Sequence, residues 1–247
     1  MIRAAFLGFS ALAVVATAAP AASPDPKAMR KALADYGKCI VKREPNKTRD
    51  FVLGGGFISR RDQDESILLS AECMPGEEMV RAGLAARGGT VSRARLRLPD
   101  VMIRWSIGQA LFDRDQAKLT ATDFAGVPAL AYEQPFPVRT TDRDGKPIPA
   151  ERVAEQQRRF DEKAGDVALS RVGECVVRAD AVKSRAVLLT PMDTPEELAA
   201  LQAVAPALSN CLPQGQTLGF DRMSLRGTLA VAYYRLASAV QQNGAAS

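Results

Sequence analysis

From about Pro26 the apolar positions Met29, Leu33, Tyr36 and Ile40 recur at three- and four-residue spacing, which predicts an amphipathic helix to about Arg43 with Cys39 near its buried side. Asp25 followed by Pro26 supplies an N-cap and a proline at the first helical position. Pro45 starts a short helix that stops at Gly54-Gly55-Gly56, where the chain can take positive φ. Ser59 with Asp62 three residues on opens another helix to about Glu72 and delivers Cys73 beside the first. Later in the chain, Thr194-Pro195-Glu196-Glu197 is a capping box with proline at N1, opening a helix through Leu198, Leu201, Val204 and Ala205. Asp221 caps a last helix whose apolar stripe is Leu225, Leu229, Tyr233 and Leu236. The expected fold class is mainly α, with short extended segments and a Pro-rich connector.

The pattern is written twice. "YGKCIVKREPNKTRDFVL" from Tyr36 is answered at Val172 by "VGECVVRADAVKSRAVLL", so Cys39 matches Cys175, Gly37 matches Gly173 and Lys47-x-Arg49 matches Lys183-x-Arg185. "ECMP" at Glu72 to Pro75 is answered by "NCLP" at Asn210 to Pro213. "LPDVMIRWSIGQALF" from Leu98 lines up with "FDRMSLRGTLAVAYY" from Phe220, which pairs Ile103 with Leu225, Arg104 with Arg226 and Ala110 with Ala232. The expectation is two tandem copies of one helical unit, each about four helices.

The repeat bears on the cysteines. Cys39, Cys73, Cys175 and Cys211 allow three connectivities. The second cysteine of each copy follows the first by 34 and 36 residues, so a duplicated unit is most simply read as Cys39 bonded to Cys73 and Cys175 to Cys211. No C-x-x-C redox pair is present, and a metal site from four scattered cysteines without histidine does not suit an oxidising compartment.

Residues 1–22 read as a secretory signal peptide: Arg3, an apolar run to about Ala16, then small residues suited to A-x-A cleavage. The run is shorter than the roughly 20 residues needed to span a bilayer. Residues 23–115 form the first unit, with an insertion at about 76–97, and 116–150 a connector that packs on a unit because its start is too apolar for a solvated linker. Residues 151–247 form the second unit behind a polar helix of about Ala150 to Arg171. Within the connector, Asp144-Gly145 predicts a tight hairpin turn and is preferred to an EF-hand, which would need Asp at Thr140 and no Pro147.

Composition narrows the chemistry. There is no histidine among the 247 residues, which removes Ser-His-Asp and Cys-His nucleophiles, His-liganded zinc and imidazole acid–base catalysis. Aromatic residues are 6%, with Trp105 the only tryptophan, which argues against a stacking surface for bases or sugars. The net charge of +5 resides largely in one half: residues 23–115 hold 17 basic and 13 acidic side chains, residues 116–247 hold 15 of each. That surplus fits solubility better than recognition of a polyanion. Abundant Ala and Arg suit helices and a GC-rich bacterial genome, so the expected destination is the periplasm or the exterior.

Few constellations offer chemistry. Gly54 to Gly56 lacks the spacing of a phosphate loop. Glu77-Glu78 are adjacent and diverge by about 100° on a helix, so they read as first-turn residues facing a helix dipole. Arg93, Arg95 and Arg97 alternate with apolar residues and would share one face of a strand, either to protect an edge or to hold an anionic envelope polymer. The arginines kept in both copies, Arg49 with Arg185 and Arg104 with Arg226, read first as structural groups closing helix C-termini, and are the first candidates should the protein bind an anion. No cofactor or metal is expected.

On "GKCIVKR", "GECVVRAD" and the final-helix segment Leu225 to Tyr234, the chain resembles exported, cysteine-paired tandem-repeat proteins of Alphaproteobacteria, of the sphingomonad type. The resemblance implies compartment and fold and carries no known activity. The expected function is therefore non-enzymatic binding or scaffolding in the periplasm, with an envelope protein or anionic polymer as partner, no specific nucleic acid, and no membrane span after signal cleavage. The alternative is a carboxylate-dependent envelope hydrolase or lyase, which requires two carboxyl groups facing one cleft.

Overall fold

A computed structural model describes residues 25–54, 72–73, 100–212 and 219–245. Eight helices lie among them: α1 (Pro26–Arg43), α2 (Pro45–Gly54), α3 (Asp100–Asp115), α4 (Ala150–Ala179), α5 (Ala181–Leu189), α6 (Pro195–Ala203), α7 (Ala205–Cys211) and α8 (Arg222–Ala245). The signal segment 1–22, the helix expected from Ser59, the insertion at 76–97 with Glu77-Glu78, and Arg93, Arg95 and Arg97 lie outside the described residues.

The helices begin where local chemistry dictates. The Asp25 carboxylate accepts from the Lys27 N–H at 3.0 Å, and Leu33, Tyr36 and Ile40 of the expected stripe are buried. At α8, Asp221 Oδ1 accepts from the Ser224 N–H at 2.6 Å while Ser224 Oγ accepts from the Asp221 N–H at 2.9 Å, a reciprocal cap. The expected apolar stripe of α8 proves too narrow, since residues 224–238 are buried on every side. This helix packs on α3, α4 and α5 and also touches α2 and α6, so it has no solvent face along that length.

Two boundaries differ from expectation. The helix opened by Thr194 stops at Ala203 and α7 starts anew, because Pro206 has no N–H to continue the ladder. The polar helix expected to end near Arg171 runs on to Ala179 as one 30-residue element, since no proline or cap interrupts it.

Helix α1 lies along α3, and the C-terminal part of α4 along α8. Both contacts are close. A Cβ at Gly37 would collide with the Ser106 backbone, and one at Gly173 with the Thr228 side chain. Each of α1 and α4 then breaks in the same way: Glu44 (φ −132°, ψ 64°) donates its N–H to Ile40 O at 2.8 Å, and Asp180 (φ −150°, ψ 79°) donates to Val176 O at 2.9 Å.

The disulfides are Cys39–Cys73 and Cys175–Cys211, with Cα separations of 5.6 and 5.7 Å, and they account for every cysteine. Closing loops of 34 and 36 residues stabilises the fold by roughly 3 to 4 kcal/mol each in the chain-entropy account. Such bonds are compatible with an oxidising compartment. No helix among the described residues is long and apolar enough to cross a membrane.

The connector after α3 is held by its own carbonyls. Leu119, Phe124 and Val127 are buried, with the Phe124 and Phe112 rings both edge-on to Tyr233 at 5.7 Å. Arg178 donates to the carbonyls of Phe124, Val127 and Pro128, and the Tyr233 hydroxyl donates to those of Leu119 and Ala121. Further on, Gly145 takes φ 77° in a turn closed by Asp142 N–H to Lys146 O and Ile148 N–H to Thr140 O, the hairpin turn expected there.

Candidate functional site

A cleft opens where α1 and α3 meet α8 and the 188–193 segment. Leu33, Met102, Trp105, Met192 and Met223 make its apolar wall, and Ser106, Gln109 and Arg30 its polar edge, around an open-sided space of ≈ 420 Å³. It extends past Lys38, Asp113 and Thr190 on one side and past Met29, Asp193 and Asp221 on the other. Flexible methionines beside one rigid indole form a wall that adapts to varied apolar shapes.

At its base three charges are removed from water. Glu197 has no exposed surface; its Oε1 accepts from Arg30 Nη2 at 2.6 Å and from Arg226 Nη1 at 3.2 Å, while Oε2 accepts from the Asp193 N–H at 2.9 Å. Arg30 Nη1 also lies 3.3 Å from Asp193 Oδ1. Asp193 reaches this position through the left-handed region, φ 63°. The capping box expected at Thr194 is present in one direction: Thr194 Oγ1 accepts from the Glu197 N–H at 3.2 Å, but the glutamate side chain turns to the arginines and to Asp193. Buried charges persist only when paired, and here one carboxylate serves two guanidinium groups.

The two arginines differ in what they have left. Arg226 donates to Gln109 Oε1, to Glu197 and to the carbonyls of Val187, Leu188 and Thr190, which engages all five of its N–H groups and closes the C-terminus of α5. Burial lowers its pKa while the Glu197 charge opposes the shift. Arg30, equally buried, has one donor without a partner: its Nε, at the cleft.

The other expected arginines are dispersed. Arg104 donates through Nη1 to Phe51 O at 2.6 Å and lies 4.1 Å over the Phe51 ring, closing α2. Arg185 donates to the carbonyls of Leu119 and Gln116 in the connector. Arg49 is exposed on α2. The basic residues beside them bridge the helix breaks: Lys47 lies 3.6 Å from Glu44, and Lys183 2.7 Å from Asp180. The structure thus does not gather the four candidates at one point.

Three residues that were not among the expected site residues matter most. Arg30 falls three residues before Leu33, a charge on an apolar stripe, which is the one local signal that it is buried. Glu197 was hidden by its capping role, which accounts for its identity without reference to tertiary structure. Arg235 lies in the middle of α8, where the buried face could not be told from the exposed one.

A second polar cleft lies between α3, α4 and α8 and includes Asp100, Arg104, Tyr132, Asp166 and Arg235. Lys163 Nζ sits 2.8 Å from Asp100 and 3.7 Å from Asp166. Burial is the main cause that pushes Asp166 up to about 6, with Lys163 opposing and Glu162 and Asp100 adding to it. The Tyr132 hydroxyl donates toward Ser170 O and Glu174, and burial drives its pKa upward. Among the described residues no group of three or more acidic or cysteine side chains is placed to hold a metal ion.

Comparison with protein-family models, curated proteins and solved structures returned no match.

Proposed function

We propose that this is a non-enzymatic binding protein of the periplasm, built from two tandem copies of a disulfide-pinned helical unit, with its ligand seat in the cleft at their junction. Support for the duplication comes from contacts at matching positions. Gly37 meets Ser106 as Gly173 meets Thr228, and the breaks at Glu44 and Asp180 share one backbone geometry. The copies meet through α3 and α8, so α1 and α3 supply one wall of the cleft and α8 with Met192 the other.

The observation that carries the binding reading is the junction cleft itself: an apolar wall of Trp105 and three methionines beside a single unpartnered donor, Arg30 Nε. Such a surface suits a small apolar molecule ending in one hydrogen-bond acceptor. Trp105 is the only tryptophan, so intrinsic fluorescence reports on this cleft alone. Titration with decanoate and decanol is expected to give a saturable change in Trp105 emission and a raised unfolding midpoint. Emission and midpoint both unmoved by either would remove the reading.

A second reading, a carboxylate-dependent envelope hydrolase or lyase, is favoured by one observation: Asp100 and Asp166 face the same cleft on either side of Lys163, and Asp166 keeps its proton further toward neutral pH than an ordinary aspartate. On this reading purified peptidoglycan sacculi release soluble fragments in the presence of the protein and not of Asp166→Asn. No release by the unmodified chain disposes of it.

A further inference from the structure

The cleft between α3, α4 and α8 contains two arginines whose donors are not all used. Arg235, 5% exposed, donates through Nη2 to Ala131 O at 2.8 Å and lies 5.1 Å over the Tyr132 ring, yet its Nε has no partner. Arg104 spends Nη1 on Phe51 O and its face on the Phe51 ring, yet its buried Nη2 has no partner. Polar atoms withdrawn from water are partnered in the great majority of cases, so two orphan donors in one cleft call for an acceptor.

The chain's own carboxylates do not fill that place. Asp100 is taken by Lys163 at 2.8 Å, and Asp166 lies on the same lysine at 3.7 Å. Glu174 is held by Arg178 at 2.8 Å and by Tyr132. Meanwhile the two guanidinium groups oppose each other: burial, and after it the charge of Arg235, push Arg104 down to about 10. Phe51 and Tyr132 lie against the two guanidinium groups, 4.1 and 5.1 Å from ring centroid to Cζ, and hold them in the cleft before any ligand arrives.

We infer that Arg104 Nη2 and Arg235 Nε together seat a small oxyanion, a single carboxylate or phosphate group, in the cleft between α3, α4 and α8. One oxygen accepts from each arginine and the added negative charge relieves the repulsion between them. The cleft is ≈ 440 Å³ including the space open to solvent, which leaves room for one small anionic group. This inference rests on neither reading above: an anion binds here whether or not the junction cleft takes an apolar ligand, and with or without turnover.

The test uses the intact chain labelled with ¹⁵N-arginine, in which the Nε–Hε resonance of Arg235 is followed during titration with acetate, with inorganic phosphate and, at matched ionic strength, with chloride. A saturable movement with acetate or phosphate beyond that with chloride is expected, and the preferred ion tells a carboxylate from a phosphate. Arg104→Gln, followed through the Arg235 resonance, and Arg235→Lys, followed through the Nε–Hε resonance of Arg104, should each weaken the apparent affinity about tenfold or more, the loss of one charge-assisted hydrogen bond. A resonance that follows acetate and phosphate no further than chloride overturns the inference, whatever the variants do. So does unchanged affinity in both variants. Should Arg104→Gln fail to fold, the resonance of the unmodified protein decides alone.

Discussion

Arg104 and Arg226 bond carbonyls that hold the same place in two different helices: Arg104 Nη1 donates to Phe51 O near the end of α2 at 2.6 Å, and Arg226 Nη1 to Val187 O near the end of α5 at 2.8 Å. The two are not equally exposed to loss. Arg104→Ala removes one such bond and a ring contact, whereas Arg226→Ala also empties five donor positions and leaves Glu197 buried with Arg30 alone. Expected costs are about 1 to 3 kcal/mol for Arg104→Ala and about 3 to 5 kcal/mol for Arg226→Ala. Urea unfolding followed through Trp105 measures both, and an equal or reversed order would show that the Glu197 clasp does not hold the α5 end.

Gly227 faces Trp105 so closely that a Cβ there would collide with the Trp105 Cβ and ring. The neighbours are the Trp105 Cβ, fixed to its helix, and a rigid indole, neither of which can yield cheaply. Gly227→Ala should therefore destabilise by about 1 to 3 kcal/mol through overpacking. Gly126→Ala, in open space, is the control and should not share the effect. Equal midpoints for the two would mean that α3 and α8 are not packed at this distance.

Asp166 gives stability a pH dependence of known sign. Its folded pKa of about 6 exceeds the ordinary 3.8, mainly through burial, so between those values the folded chain holds a proton that the unfolded chain has released. Its contribution is thus full below about pH 4 and is lost as pH rises through about 6. Relative to Asp166→Asn, the unmodified protein should lose unfolding midpoint across that window and level off above it. A difference that stays flat with pH contradicts the burial assigned to this carboxyl.

Arg178 ties the connector to α4 through three carbonyls and to Glu174 at 2.8 Å. Arg178→Ala should free residues 124–128 without unfolding the helices. Faster amide exchange and proteolytic cleavage confined to that segment are the expected readout. Protection unchanged there would assign the connector's attachment to the buried Phe124 and Val127 side chains instead.

The local grammar of the chain was legible from sequence to the residue in places: the Asp25 cap, both ends of α1 and α2, the Asp221 cap and the pairing of four cysteines. These depend on neighbours along the chain or, for the cysteines, on similar spacings of 34 and 36 residues. What escaped depends on neighbours in space. Glu197 satisfied a capping rule, so nothing local pointed to Arg30, 167 residues away. The all-round burial of α8 escaped for a different reason: Arg226, Thr228, Arg235 and Ser238 gave it a polar face on paper, and each is buried. Arg226 spends its donors on carbonyls and on Gln109 and Glu197, while Arg235 bonds the Ala131 carbonyl and lies over the Tyr132 ring. Pro206 was a legible stop: the expected helix ran to Ala205, just before it, and the observed one ends two residues earlier at Ala203.

The position of α8 in the chain sets an order on folding. The helix that packs on α3, α4 and α5 is Arg222–Ala245, while α3, which it covers together with α1, is made long before it. A nascent chain therefore carries α3 with only one of its two main partner helices, α1, until more than a hundred further residues have followed. The core is complete only once this last helix has joined it, and the face of α3 that α8 covers stays without that cover throughout the interval.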